Sequence, residues 1–341
     1  MDISVIIPVY NGADTIAETL HSILAQTLDP TQAQVEILVV NDGSTDQTST
    51  LVQNVMGQLP GQDKTYDIKL IELDNGGVSR ARNQGARLAK GRYLTFMDAD
   101  DLWTTDKLEA QFLALESNPE AGFVYSWVNS IDLDGNFFRR GGYFTMTGDP
   151  WVQSIVIDVV ESGSNVMIRR QAFEQVQGFD ERLTHSEDWD LWIRLAENFS
   201  VVTVPMPQIL YRQGGVTAST NVRKMEEGSL ALIRRIAGQL GRQNHTLIHQ
   251  SLANRYKILT FEAMDGEAKR ERAILAFIYS LKATFYDRQL LLKNFNLLVR
   301  FWLKCLVILF GFKRLLRARI FHQPGWDSLE MLFLVSINVH V

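Results

Sequence analysis

The stretch Ser4-Val5-Ile6-Ile7-Pro8-Val9-Tyr10-Asn11-Gly12 decides the fold class of this 341-residue chain. Ser4 to Val9 form an apolar run that is typical of a buried strand, and Asn11-Gly12 predicts a turn. Apolar residues then recur at helical spacing, at Ile16, Leu20, Ile23 and Leu24. The stretch therefore predicts a strand, a loop and a helix in succession.

The same pattern returns three times before residue 100. Strands are predicted at Val35 to Val40, Ile68 to Leu73 and Arg92 to Met97. Ser44 or Thr45 is predicted to cap the second helix, and Val78 to Ala89 is predicted to form the third. Alternating strands and helices of this kind predict parallel strands with helical crossovers, and hence an α/β fold.

Composition and charge narrow the class of protein. With 46% hydrophobic residues the chain can bury a large core, and its length predicts one extended domain with an appendage, or two domains. The net charge of −5 argues against a nucleic-acid partner. The stretch from Arg288 to Trp326 has eight basic and no acidic residues, so an acidic body precedes a basic tail.

The cellular location is predicted from two simple features. A single cysteine, Cys305, cannot form an internal disulfide, which fits a reducing compartment. Met1 to Ser4 contain no basic region typical of a secretory signal peptide. We therefore expect a cytoplasmic protein, with a peripheral membrane position considered below.

Three acidic clusters follow or begin the predicted elements: Asn41–Asp46, Asp98–Asp101 and Glu187–Asp190. Carboxylates this close repel one another unless a cation or a proton lies between them. In open α/β sheets, ligands bind beyond the carboxyl ends of the strands, where Pro8–Tyr10 and the first two clusters fall. The sequence therefore predicts one site for a metal and a phosphate-bearing substrate.

Each cluster also has a purely structural interpretation. Asn41 to Ser44 could be a turn with a helix cap, and the Gly76-Gly77 pair a plain loop rather than a donor contact. Asp101 could be an acid at the start of a helix beginning near Thr105, and Glu187 or Asp190 could serve a second helix in the same way. For Asp98 and Asp100 we favour a ligand site, since carboxylates two apart in an extended segment point the same way.

These motifs, together with the Ala81-Arg82-Asn83 helix start and Glu187-Asp188-Trp189-Asp190-Leu191-Trp192, resemble the family 2 glycosyltransferases. The resemblance covers roughly residues 3 to 215 in the correct order. It implies a Rossmann-like nucleotide-diphosphosugar transferase fold, the glycosyltransferase-A fold, here with a helical C-terminal extension. It also implies transfer of a sugar from a nucleotide-diphosphate donor to a hydroxyl acceptor, with inversion at the anomeric carbon.

The resemblance assigns donor-side roles to residues of the first hundred positions. Pro8, Val9 and Tyr10 wall the nucleotide, and Asp42 accepts a hydrogen bond from its base, which suits a UDP, GDP or dTDP donor. Arg82 lies near the nucleotide, although a solvated surface arginine is an equal alternative. Asp100 binds Mg²⁺ or Mn²⁺, and Asp98 contacts the ribose or a metal-bound water.

On the acceptor side, the resemblance makes Asp188 the general base that takes the proton of the attacking hydroxyl. Glu187 would hold a neighbouring basic group, and Trp189 would wall the acceptor sugar. One position departs from the family pattern Tyr-Arg-x-His, because Tyr211-Arg212-Gln213 is followed by Gly214. The metal shell would then rest on Asp100, the diphosphate and water, or the loop 214–220 would close with Arg212 on the phosphates.

Two regions are expected along the chain. Residues 1–220 form the catalytic domain, with a donor half at about 1–102 and an acceptor half at about 103–220. Residues 221–341 form a helical region whose basic amphipathic segment, 297–319, is predicted either as an interfacial membrane helix or as a core-packing helix with a solvated basic side. The acceptor is accordingly a saccharide or a lipid-linked molecule, and Met331–Val341 has no assigned role.

The sequence favours a metal-dependent inverting glycosyltransferase of polysaccharide or glycolipid biosynthesis. Two alternatives remain open at this point. One is another nucleotide-sugar enzyme, either a retaining transferase or a nucleotidyltransferase. The other is a nucleotide-sugar-binding protein without turnover.

Overall fold

The computed structural model describes residues 1–58, 66–214, 221–241, 244–264 and 270–310. The chain divides into two compact units. The first contains Met1–Ser154 and Asp158–Gln213, and the second contains Ile155–Ile157 and the described residues from Gly214 onward. The division at Gly214 precedes the predicted boundary at residue 220, which lies outside the described residues.

A single mixed sheet forms the centre of the first unit, in the order β3-β2-β1-β4-β8-β6-β9-β5, with β7 paired to β6. Its strands are β1 (Ile3–Val9), β2 (Val35–Asp42), β3 (Tyr66–Leu73), β4 (Tyr93–Phe96), β5 (Leu102–Trp103), β6 (Ala121–Ile131), β7 (Phe137–Arg140), β8 (Met167–Arg169) and β9 (Ser200–Arg212). The first four strands are mutually parallel, whereas β8 is antiparallel to both β4 and β6. The predicted α/β fold is confirmed.

The helices beside this sheet are α1 (Ile16–Leu24), α2 (Thr48–Gln58), α3 (Val78–Leu88), α4 (Lys107–Glu116), α5 (Pro150–Val156), α6 (Arg170–Gln175) and α7 (Glu187–Asn198). Every residue of β1 and β2 is buried, as their apolar runs predict. The helix α1 buries Ile16, Leu20 and Ile23 against the core, because this spacing places them on one face. Val9 lies opposite Asn41 in the β1–β2 register, so the carboxyl ends of these strands meet at one edge.

The predicted cap of the second helix is wrong. The helix begins at Thr48, whose backbone N–H donates to Asp46 Oδ1 at 3.0 Å. Ser44 Oγ instead accepts a hydrogen bond from the backbone N–H of Asn11 at 2.8 Å. The Ser44 side chain, which was expected to cap the helix, thus contacts the loop after β1 instead. Local sequence does not reveal this contact.

The second unit is built from α8 (Val222–Leu240), α9 (His245–Met264), α10 (Arg270–Tyr286) and α11 (Gln289–Phe310). Its core includes Leu259, Tyr279 and Leu298, and α11 has a non-helical residue, Asn294, near its start. The helical C-terminal region is thus confirmed. Among the described residues, no helix combines the length and apolar character needed to cross a bilayer. The part of segment 297–319 after Phe310, and all of Met331–Val341, lie outside those residues.

Candidate active site

The loop after β1 is tied to the loop after β2. Asn11 has a left-handed backbone (φ 52°), and its side-chain oxygen accepts from the Thr45 N–H at 2.8 Å. The Ala13 N–H donates to Asp46 Oδ2 at 3.0 Å. Pro8 and Val9 are buried within β1, whereas Tyr10 is 55% exposed. Of the three residues predicted to wall a nucleotide, Tyr10 is therefore the one with an open aromatic surface.

Asp42 is the last residue of β2 and is buried. Its carboxylate oxygens accept hydrogen bonds from the backbone N–H groups of Gly76 and Gly77, at 2.9 and 2.8 Å. Gly77 has φ 91°, a conformation that favours glycine. Asp42 thus holds the loop that leads into α3, and each of its oxygens keeps a second lone pair for a ligand. The glycine amides therefore address Asp42, and its contact with a base stays a prediction.

The Asp98–Asp101 segment forms a turn, closed by the Asp101 N–H donating to the Asp98 carbonyl at 3.2 Å. The expectation of an extended segment is wrong, because this closing bond folds the chain immediately after β4. Burial, followed by the nearby charge of Asp98, raises the pKa of Asp100 to about 6. When the Asp98 and Asp100 carboxylates are both ionised they repel each other, and a cation bound between them would remove that repulsion.

Asp101 has a different role from its neighbours. It is fully buried and accepts hydrogen bonds from Ser164 Oγ at 2.5 Å and from the Arg212 N–H at 3.1 Å. Burial, and then the charges of Asp100 and Asp98, raise its pKa well above the usual value. The helix-start interpretation of Asp101 is wrong, since α4 begins only at Lys107. Through its bonds to Ser164 and Arg212, the buried Asp101 carboxylate holds the Asp98–Asp101 turn in place.

Arg82 connects the second and third acidic clusters. It is 3% exposed, and its Nη2 lies 2.5 Å from Asp98 Oδ1 while Nη1 lies 3.0 Å from Glu187 Oε1. Burial alone would lower the pKa of the guanidinium, but Asp98 and Glu187 raise it. The interpretation of Arg82 as a solvated surface residue is therefore wrong. The buried Nε of Arg82 has no hydrogen-bond partner in the described structure.

Glu187 and Asp188 begin α7, as predicted, directly after Ser186 in a left-handed conformation (φ 61°). Asp188 Oδ1 accepts from the Trp189 N–H at 2.7 Å. Burial, then the charges of Glu187 and Asp158, raise the pKa of Asp188 to about 8, against the opposing effect of Arg82. A carboxyl group with this pKa can hold or release a proton near neutral pH.

The two weaker acceptor-side candidates differ in their surroundings. Glu187 contacts a basic group, Arg82, as the sequence led us to expect. Trp189 is buried, and its indole N–H donates to the Ser154 carbonyl at 2.6 Å. This side chain therefore packs within the fold, and its contact with an acceptor sugar stays a prediction.

Comparison with known proteins decides the family. The family model described as Glycosyltransferase like family 2 matches residues 4–260. The chain belongs to this family. The resemblance seen in the acidic motifs is thereby confirmed, over a longer stretch than those motifs cover.

Several curated relatives are similar to this family 2 chain. An uncharacterized glycosyltransferase of Rickettsia bellii is 32% identical over 197 residues, which are 57% of this chain and 27% of that protein. One of Rickettsia typhi is 31% identical over 208 residues, covering 58% and 60%. The hyaluronan synthase of Pasteurella multocida is 26% identical over 195 residues, covering 57% and 19%. The match thus spans between about a quarter and 60% of the Rickettsia relatives' own length.

Solved structures of S. aureus TarS share the fold. TarS 1–349 has a TM-score of 0.51 at 17% identity, covering 84% of this chain and 89% of that one. TarS 1–349 in complex with UDP-GlcNAc has a TM-score of 0.52 at 15% identity, covering 98% and 92%. The predicted glycosyltransferase-A fold with a helical C-terminal region is confirmed.

The departure from the family's Tyr-Arg-x-His pattern has a structural counterpart. Arg212 is buried at the end of β9, where its Nη2 lies 2.7 Å from Glu18 Oε2. Its Nε donates to the Asp100 carbonyl at 2.8 Å, and its Nη1 donates to the Leu133 carbonyl at 2.8 Å. Arg212 thus stabilises the Asp98–Asp101 turn by binding the Asp100 backbone carbonyl. The loop 215–220 that was considered with it lies outside the described residues.

The sequence suggested that residues around Trp151 to Asn165 influence the choice of sugar and acceptor, but it did not predict that segment 158–165 contacts the Asp98–Asp101 turn and Arg82. Ser164 Oγ accepts from the Asp98 N–H at 2.9 Å and donates to Asp101. Gly163 packs against Arg82, since a Cβ at this position would lie 2.9 Å from Arg82 Nη2. The only signal in the sequence is a short run of small polar residues, which is equally typical of any surface loop.

The carboxylates Asp98 and Asp100 fit a divalent cation. In the described ranges no group of three or more His, Cys, Asp or Glu side chains is arranged to hold a metal ion. Mg²⁺ and Mn²⁺ sites at phosphates, however, need only one or two protein carboxylates, with water and phosphate oxygens completing the shell. Burial and, after it, the charge of Asp98 raise the pKa of Asp100, and a bound cation would offset both effects.

Proposed function

We propose that this protein is a metal-dependent inverting glycosyltransferase that moves a sugar from a nucleotide-diphosphate donor to a hydroxyl acceptor. The observation that carries the proposal is the Arg82 bridge, which joins Asp98 of the donor-side turn to Glu187, the neighbour of Asp188. A displacement reaction needs a leaving-group site and a base on opposite sides of one carbon atom. Arg82 brings candidate groups for both sides together.

On the donor side, Tyr10 offers an aromatic surface for the nucleotide, and Asp42 offers carboxylate oxygens to the N–H donors of its base. Among UDP, GDP and dTDP donors, a UDP-sugar is favoured because the structurally similar TarS binds UDP-GlcNAc. Asp100, with Asp98, would hold Mg²⁺ or Mn²⁺. When bound there, the ion supplies positive charge that neutralises the charge developing on the diphosphate leaving group.

On the acceptor side, Asp188 takes the proton of the attacking hydroxyl. The new bond forms between the acceptor oxygen and the anomeric carbon while the bond from that carbon to the diphosphate breaks, and the proton moves to the carboxylate. A pKa of about 8 suits this task, because the group is a strong base when it is ionised. Relatives named as hyaluronan and chondroitin synthases favour a saccharide or lipid-linked acceptor in polysaccharide or glycolipid assembly.

Nucleotide binding tests the donor site. Calorimetry of the purified protein with UDP, GDP, dTDP and CDP, each with and without Mn²⁺, should reveal one preferred nucleotide whose binding the metal strengthens. Asp100→Ala should abolish the metal effect, because it removes the side chain that we propose as the main metal ligand. Failure of every nucleotide to bind, with or without Mn²⁺, would contradict the proposal.

A further inference from the structure

The second unit exposes an unusual number of large apolar side chains. Among the described residues, ten of the eighteen large hydrophobic side chains that are exposed belong to α10 and α11. They are Ile274, Ile278, Leu281, Phe285, Leu291, Leu292, Phe295, Leu303, Leu306 and Phe310. Contiguous apolar patches are uncommon on soluble proteins and mark interaction sites.

The helix α11 has two apolar faces. One face is buried in the core of the unit through Leu298, Phe301, Cys305 and Ile308. The other carries Phe295 and Phe310, which are 55% and 65% exposed, with Leu303 and Leu306 between them. At 3.6 residues per turn, these four side chains lie on the side opposite the buried set. The prediction of a core-packing helix therefore accounts for only one of the two faces.

A second stripe of exposed apolar residues lies on α10. Ile274, Ile278, Leu281 and Phe285 are spaced by four, three and four residues, so they share one side of the helix. An open, mainly apolar cavity of about 590 Å³ lies between the end of α10 and α11, and its lining residues are Leu281, Thr284, Phe285, Arg288, Leu291, Leu292 and Trp302. The ten exposed side chains of α10 and α11 are called the apolar face below.

The charges of α11 are of one sign, whereas the first turn of α10 carries one exposed acidic residue, Glu271, between Arg270 and Arg272. From Arg288 to Phe310 the chain contains Arg288, Lys293, Arg300 and Lys304 and no acidic residue. Arg288, Lys293 and Arg300 are exposed. A second copy of the chain docked on this face would bring equal positive charges together, which is unfavourable. An anionic lipid surface would accept both the apolar side chains and the basic ones.

We propose that the apolar face binds the surface of a membrane that contains anionic phospholipids. The side chains of α10 and α11 enter the boundary between headgroups and acyl chains, and the basic residues contact the headgroup phosphates. In this arrangement both helices lie along the membrane surface. The interaction is independent of the chemistry proposed above.

Co-sedimentation of the full-length protein with vesicles tests this proposal. We expect binding to vesicles of phosphatidylcholine mixed with phosphatidylglycerol, weaker binding to phosphatidylcholine alone, and release by salt. The double variant Phe295→Ser, Leu303→Ser should reduce the partition coefficient at least about ten-fold, because it removes two large apolar groups from the interface. Leu113→Ser, which alters an exposed leucine of α4, is the matched control and should bind as the wild type does.

The electrostatic part has its own pair of variants. Arg300→Gln should weaken binding to the anionic vesicles about five-fold, the effect of about 1 kcal/mol per basic residue near such a surface. Lys224→Gln removes an exposed charge from α8 and should have no effect. Thermal denaturation close to that of the wild type would establish that each variant is folded.

Three results would overturn the proposal. The first is a protein that stays in the supernatant with both kinds of vesicle. The second is a Phe295→Ser, Leu303→Ser variant that folds normally and sediments as well as the wild type. The third is a dimer in analytical ultracentrifugation that the double variant dissociates, without vesicle binding in either protein, which would make the apolar face a contact between copies.

Discussion

The carboxylates of the predicted donor half and those of the predicted acceptor half are positioned in different ways. Asp42 ends β2 and Asp98 follows β4, and these two strands lie parallel on either side of β1, so the sheet brings both residues to one edge. Asp188 begins a helix after a left-handed serine, and its surroundings come from Arg82, more than 100 residues earlier. Strand ends thus determine where Asp42 and Asp98 lie, whereas the surroundings of Asp188 depend on a side chain distant in the sequence.

The largest expected effect is on turnover, and it tests the acceptor side alone. Asp188→Asn should lower the transfer rate by about 10²- to 10⁴-fold, because the amide cannot take the hydroxyl proton. Nucleotide binding, measured by calorimetry, should stay close to that of the wild type. Asp134→Asn, at an exposed turn, is the control. Equal loss of nucleotide binding would mean that the two halves cannot be separated, and unchanged transfer would exclude Asp188 as the base.

The Arg82 bridge is where the two halves meet, so its removal should affect both. Arg82→Met should lower the free energy of unfolding by about 3 kcal/mol, since it leaves the partly buried Asp98 and Glu187 carboxylates without their cation. Arg87→Met, on the same helix but 58% exposed, should change it by less than about 0.5 kcal/mol. Chemical denaturation measures both. A similar small effect from the two variants would show that the bridge contributes little.

Gly163 tests the same bridge through its packing. Gly163→Ala should lower the free energy of unfolding by about 1–3 kcal/mol, because the new methyl group would clash with Arg82 Nη2. Gly57→Ala is the matched control, since a Cβ there meets nothing within 4 Å. Alanine is also the better helix former, so this control should be neutral or stabilising by up to about 1 kcal/mol. Thermal denaturation measures the stability of both variants. Equal stability of Gly163→Ala and Gly57→Ala would contradict the packing argument.

The smallest expected effect is a shift in the pH dependence of transfer. A base with a pKa of about 8 is protonated below that pH, so kcat/KM should rise with pH and level off above about 8. Glu187→Gln removes a charge that raises the pKa of Asp188, so the rise should move to lower pH. The effect on stability has the opposite direction. Because the folded-state pKa of Asp188, about 8, exceeds the usual 3.8, the stability contributed by this group is lost as the pH rises from about 3.8 to about 8.

Glu174→Gln, an exposed residue of α6, is the control for the pH experiment. Its profile should coincide with that of the wild type. A Glu187→Gln profile that did not move, or moved to higher pH, would contradict the assigned electrostatic influence of Glu187 on the base.

Much of the donor half was predictable because its determinants are local. The apolar runs that mark β1 to β4 are complete within a few residues, and parallel strands bring their carboxyl ends together in any such sheet. Asp42 and Asp98 could therefore be placed at one edge from the sequence alone. The glycosyltransferase motifs added the family and proposed roles for these residues.

The remainder could not be predicted because it depends on contacts between distant residues. The burial of Arg82 follows from two carboxylates and a glycine contributed by three separate segments. The turn at Asp98 to Asp101 is held by Ser164, which has no distinctive neighbourhood in the sequence, and by Arg212, whose motif did not predict this contact. Helix propensity likewise could not reveal that Ser44 is used by Asn11.

The Arg82 bridge also limits how the chain can be recombined. An acceptor half transplanted from another family member would bring its own counterpart of Glu187 but not the helix α3 that supplies its cation. The buried carboxylate would then face a foreign partner, or none. The Arg82 side chain therefore links the two halves, which the sequence alone divides after β4. A transplant meant to change acceptor specificity would have to include α3 and the 158–165 segment as well.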